Sequence, residues 1–148
     1  MKILIATLIG FFALAMNQIP IKNQEDNKMP VTKSADLPLQ NTHWKLIELA
    51  GKKMPINATA KEMFIVLKND STVTGNGGCN AFSGDYSLGK NNKIFFGELV
   101  RTNVLCPGID FERKYLNAIS ATDHYQIMGN MLSLQNKFTS VAKFVGMK

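Results

Sequence analysis

The apolar residues of this chain come in short bursts, and each burst ends at a glycine, a proline or an Asn/Asp turn. Segments this short do not make long helices, and their apolar–polar alternation is that of strands. HWKLIEL, residues 43–49, places Trp44 and Leu46 on one face. EMFIVL, residues 62–67, is apolar at both parities and predicts a strand buried on both sides. Asn69-Asp70 marks a turn, and Thr72-Val73-Thr74 opens a strand that Gly75 to Gly78 interrupts. Phe82, Gly84, Tyr86 and Leu88 then share one parity, and KIFFGEL, residues 93–99, returns as a strand after the turn at residues 89–92. Gly129-Asn130 between two alternating runs is a two-residue hairpin signal, and residues 141–145 form the last strand. One segment carries the helical period: Phe111, Tyr115, Leu116 and Ile119 make a single stripe, with Asp110 as N-cap and Glu112 in the first turn. The expectation is a mainly β (α+β) fold: a compact antiparallel curved sheet or barrel with one α-helix inserted before the C-terminal strands.

Only part of the 148 residues is needed for that domain. Residues 3–15, ILIATLIGFFALA, follow one lysine and carry no charge. That is too short to span a bilayer comfortably and fits the h-region of a signal peptide, with the Ala13-Leu14-Ala15 site suggesting cleavage after Ala15. No cysteine lies near this boundary, which argues against a lipoprotein anchor. Residues 16–38 hold three prolines and no sustained period, and read as a polar flexible linker. The domain is expected over residues 39–148, as an exported monomer with no stable membrane span once the leader is removed.

The net charge of +6 raises the question of an anionic polymer as partner. Acids and bases alternate along the chain, and the longest basic clusters are the pairs Lys52-Lys53 and Arg113-Lys114. A nucleic-acid surface calls for a denser stripe, so the charge reads as solubility.

GNGGCNAFSGDY, residues 75–86, is the most unusual stretch. A phosphate cradle would need a helix after the glycines, and strand-like alternation follows instead. A reactive thiol at Cys79 would need a base in reach, and His43 and His124 both lie far away in sequence. A sharp bend or bulge at a sheet corner needs nothing more, since glycine and asparagine accept positive φ. Cys79 and Cys106 are the only cysteines, and in an exported chain they read as one disulfide, with two buried thiols as the alternative. No carboxylate pair, catalytic triad or metal-ligand spacing appears among the scattered acids, so neither catalytic residues, nor metal, nor cofactor is expected.

Five blocks in order give the chain a resemblance. They are Trp44-Lys45-Leu46; Gly78-Cys79-Asn80 with Phe82, Gly84 and Tyr86; Thr102-Asn103-Val104-Leu105-Cys106; Glu112 with Tyr115, Leu116 and Ile119; and Ile127, Gly129, Leu132 and Leu134. From about Asn41 to Phe144 the chain resembles the META-domain family, of the type of the heat-shock protein HslJ. Asn103 stands where that family commonly has arginine, and Leu105 where it has a small residue; Arg101 lies just before. The resemblance implies a β fold with one helix, a bacterial cell envelope, a link to stress, antibiotic tolerance or virulence, and no established catalytic residues.

The functional expectation is a non-catalytic envelope module for stress tolerance that binds a protein or an apolar ligand. One alternative is a small barrel enclosing a lipid-like ligand, lined by Met63, Phe64, Phe82, Phe95, Met128 and Met131, although small barrels usually pack solid. The other is a thiol-dependent enzyme. Trp44, Gly78, Asn80, Gly84, Tyr86, Thr102 and Glu112 are the candidate structural-motif residues beside the two cysteines.

Overall fold

The computed structural model describes residues 35–107 and 109–147. The expected signal peptide (1–15) and almost all of the expected linker (16–38) lie outside them. The described strands are β1 (His43–Leu49), β2 (Lys52–Lys53), β3 (Met63–Leu67), β4 (Thr72–Gly77), β5 (Ala81–Leu88), β6 (Ile94–Phe96), β7 (Val100–Arg101), β8 (His124–Met128), β9 (Met131–Asn136) and β10 (Thr139–Met147), with one helix, α1 (Ile109–Ser120), between β7 and β8.

The strands form one antiparallel sheet in the order β6-β5-β4-β3-β1-β10-β9-β8, with β2 beside β1 and β7 beside β5. The two ends of that order meet. Lys93 bridges His124, Ile94 N donates to Asp123 O (3.1 Å) and Tyr125 N donates to Asn92 O (2.9 Å). The sheet is therefore a nearly closed barrel, which leaves little open strand edge. At this seam the Asp123 carboxyl is held below the usual carboxylate range by its hydrogen bond with His124 and by the backbone N–H of Lys137.

Alternation builds the core. Trp44, Leu46, Ile65, Leu67, Val73, Phe82, Tyr86, Ile94, Leu132, Leu134 and Phe144 point inward. Leu49 is buried although it breaks the parity of Trp44 and Leu46, because a bulge between Leu46 and Glu48 resets the pleat against β10. Trp44 is fully buried, and its indole N–H donates to Leu39 O at 2.9 Å. Asp36 Oδ1 accepts from Gly129 N (2.6 Å) and Leu37 N donates to Gly129 O (2.8 Å), so folded contacts start before residue 39. The expected turn at Gly129-Asn130 is present, with Met128 paired to Met131 and Gly129 at φ 61°.

Four expectations change. The strand β3 is buried on one face only: Phe64 is half-exposed and stacks on His43 at 4.3 Å. The glycines do not interrupt β4 at Gly75; the strand runs to Gly77, and the turn is confined to residues 78–80. The helix starts at Ile109, so Asp110 lies inside the first turn, paired with Arg113, rather than at the N-cap. Its buried stripe is Glu112, Tyr115 and Ile119, and Phe111 faces away from the core. The ring of Tyr115 lies 6.0 Å from Phe82 on β5 and 6.1 Å from Phe144 on β10, so α1 packs one face on the barrel and inserts Tyr115 between two of its walls. Of the six residues considered for an enclosed ligand, Met63 and Phe82 face the packed interior, whereas Phe95 and Met128 are 50% and 68% exposed and Phe64 and Met131 are half-exposed.

Candidate functional site: the Asn80–Glu112 junction

The turn between β4 and β5 is where distant parts of the chain converge. Gly77 N donates to Asn80 O (2.8 Å), and Asn76 Oδ1 accepts from Gly78 N (2.8 Å), so the turn carries its own hydrogen bonds. Gly78 sits at φ 93°, which an L side chain rarely adopts, and a Cβ there would meet the Thr59 side chain. Gly75 and Gly77 serve differently. They are strand residues kept bare by close neighbours, since a Cβ would meet the Phe82 ring at Gly75 and Glu112 Cγ at Gly77 (2.5 Å each).

Asn80 is the hub, 1% exposed. Its Oδ1 accepts from Thr102 Oγ1 (2.8 Å) and Val104 N (2.7 Å), and its Nδ2 donates to Val104 O (3.0 Å). These bonds fold the β7–α1 loop over the turn. The Asn80 amide N donates to Glu112 Oε2 (2.7 Å), and Nδ2 lies 3.0 Å from Oε1. Arg101 Nη1 approaches the same Oε1 at 3.2 Å. The Glu112 carboxylate is 1% exposed, with donors at both oxygens, as a buried charge requires. The Cys79–Cys106 disulfide closes the same junction, across a Cα separation of 6.1 Å. Linking residues 27 apart stabilises by about 3–4 kcal/mol in the chain-entropy model.

The structure thus brings Cys79, Cys106, Gly78, Asn80, Thr102 and Glu112 together. Trp44, Gly84 and Tyr86 hold other parts of the barrel. A Cβ on Gly84 would meet Glu98 O (2.6 Å), so its bareness lets the chain after β6 cross β5. The Tyr86 hydroxyl donates to Lys68 O (2.7 Å) and accepts from Gln40 Nε2 (2.6 Å), which ties β5 to the β3–β4 turn. Arg101 supplies the positive charge beside Glu112, and Asn103 and Leu105, the two departures from the family pattern, are solvent-exposed. In the sequence Glu112 reads as a helix-dipole residue and as a member of the fourth motif block, and neither reading predicts its buried pairing with Asn80 and Arg101. The available signal was a buried-type position, one turn before Tyr115, occupied by an acid.

Neither histidine serves the sulfurs: His43 contacts Glu62 (2.8 Å), and His124 contacts Asp123 (2.8 Å). Among the described residues there is no group of three metal-binding side chains and no helix long and apolar enough to cross a membrane. A shallow depression of about 390 Å³, lined by Arg101, Ile109, Glu112, Arg113 and Leu116, opens beside the junction.

A model of the META domain matches residues 37–147. Among solved structures, the NMR structure of a protein from Burkholderia xenovorans superposes with a TM-score of 0.61 at 25% identity, covering 74% of this chain and 84% of that one. A second NMR structure superposes with a TM-score of 0.56 at 18% identity, covering 72% of this chain and 89% of the other, a likeness of fold. No curated protein matches the chain.

Proposed function

We propose a non-catalytic binding role for this chain, which belongs to the META-domain family. It acts as an exported monomer in a bacterial cell envelope, where it supports stress tolerance by holding a protein or an apolar ligand. The observation that carries this reading is the saturation of the Asn80–Glu112 junction. The buried carboxylate has donors at both oxygens, Asn80 uses both ends of its amide, and the two cysteines are consumed by one bond. Groups committed in this way hold loops together and leave no nucleophile or base ready to meet a substrate. The disulfide supports an oxidising compartment, since cytosolic thiols are kept reduced.

The test is an assay of the purified chain against ester, peptide, glycoside and disulfide substrates, paired with chemical crosslinking in the intact envelope. The expected result is no turnover and a discrete crosslinked species. Turnover lost in Cys79→Ser or Glu112→Gln would overturn the reading.

A further inference from the structure

The outward side of α1 borders a groove of about 710 Å³ against the β1–β2 hairpin, within the size range of small-molecule sites. Its lining divides by chemistry. Leu49, Met54, Phe111, Ala118 and Val141 are apolar, and Met54, Ala118 and Val141 pack on the core beneath. Phe111 is half-buried and contributes nothing to that core, although it is the largest apolar side chain on the helix after Tyr115. Lys52, Lys53 and Lys114 also line the groove, and no carboxylate does. Among the described residues none of these three lysines forms an ion pair; the nearby acids Glu48 and Asp110 are held by Lys143 and Arg113.

We propose that this groove binds a single-chain anionic amphiphile of the fatty-acid type. The alkyl chain lies along Leu49, Met54 and Phe111, and the head group meets Lys52, Lys53 and Lys114. The charge asymmetry of the lining selects an anion, because it offers three cations and nothing that repels negative charge. Backbone amides that are already bonded favour a hydrocarbon tail over a peptide, Asn117 being the one uncharged polar side chain of the lining. An extended peptide needs backbone partners along its length, whereas here Ala50 N is already bonded to Val141 O (2.9 Å) and Met54 N to Ile47 O (2.9 Å). The proposal rests on the reading of the chain as a binding module and gives it a ligand class and a location outside the barrel.

The experiment titrates a fluorescent long-chain fatty acid into the full chain and displaces it in turn with palmitate, a lysophosphatidic acid and hexadecanol. Saturable binding at one site is expected, with palmitate or the phosphate-headed lipid displacing the probe at least about tenfold better than the uncharged alcohol. Whichever head group competes better tells a free fatty acid from a phospholipid source. The triple variant Lys52→Glu, Lys53→Glu, Lys114→Glu should weaken binding by about tenfold or more. Phe111→Ser should weaken it with the positive charge intact, and Leu105→Ser, at an exposed position outside the groove lining, should leave it unchanged. Thermal unfolding of each variant establishes that it is folded. Three results would overturn the proposal: no saturable binding to the full chain, as when a protein partner is the occupant of the groove; equal affinity for hexadecanol; or undiminished binding to the folded triple variant. Each would leave the non-catalytic reading standing, since that reading fails only on turnover.

Discussion

Phe111 and Glu112 are neighbours on α1 with exchanged roles. The carboxylate is 1% exposed in the interior, and the aromatic ring borders solvent. Glu112 is accepted inside because Asn80 and Arg101 meet its oxygens, and Phe111 is left outside because Tyr115 and Ile119 already fill the space beneath the helix. The two sides of one helix therefore do different work. The inward side closes a junction in which every charge is answered, and the outward side presents apolar surface and Lys114, which forms no ion pair among the described residues. Polarity alone does not assign a helical residue to the core; the partners available there do.

The comparison breaks most readily at Glu112. Glu112→Ala strands the Asn80 amide groups and leaves Arg101 without its partner, and it should cost about 3 kcal/mol in urea unfolding. Gly77→Ala pushes a methyl against Glu112 Cγ and should cost about 2 kcal/mol.

Tyr115 sharpens the comparison by contrast. Its hydroxyl is fully buried and has no hydrogen-bond partner, the one such side-chain atom among the described residues. Tyr115→Phe should stabilise by about 1 kcal/mol, because a polar group without a partner leaves the core. Burial also pushes the Tyr115 phenol well above its usual range. Its neutral form is favoured in the folded state, so that contribution is intact below pH ~10. As pH rises past that value the unfolded chain releases the proton first, and stability is lost. Urea curves from about pH 8 to pH 11 should fall less steeply for Tyr115→Phe than for the parent. On the outward side, Lys114→Ala should change stability by less than about 0.5 kcal/mol, while it reduces affinity for an anionic amphiphile.

The sheet was legible where alternation is uninterrupted, as in Trp44 and Leu46, in Phe82 and Tyr86, and in the hairpin at Gly129-Asn130. It was less legible where one residue depends on a distant partner. Leu49 is inside because of a bulge set by pairing with β10, which no local pattern announces. Gly75 and Gly77 looked like punctuation, yet they continue β4 and are bare because Phe82 and Glu112 need the space. The cysteines, Asn80, Thr102 and Glu112 were each found from motif blocks. Their convergence is a property of the tertiary fold, because Asn80 and Glu112 stand 32 residues apart in sequence. The groove had no motif at all: its lysines come from a hairpin and a helix, and the sequence shows them only as the ordinary basic pairs Lys52-Lys53 and Arg113-Lys114.

The central claim is that the glycine-rich turn is a closed structural junction and not a reactive site. The most direct test is the intact mass of the protein purified from its native host and denatured with an alkylating agent in the absence of reductant. The account predicts no added alkyl group, with Cys79 and Cys106 joined. Alkylation at both cysteines would contradict it, since the junction would then hold free thiols beside Asn80.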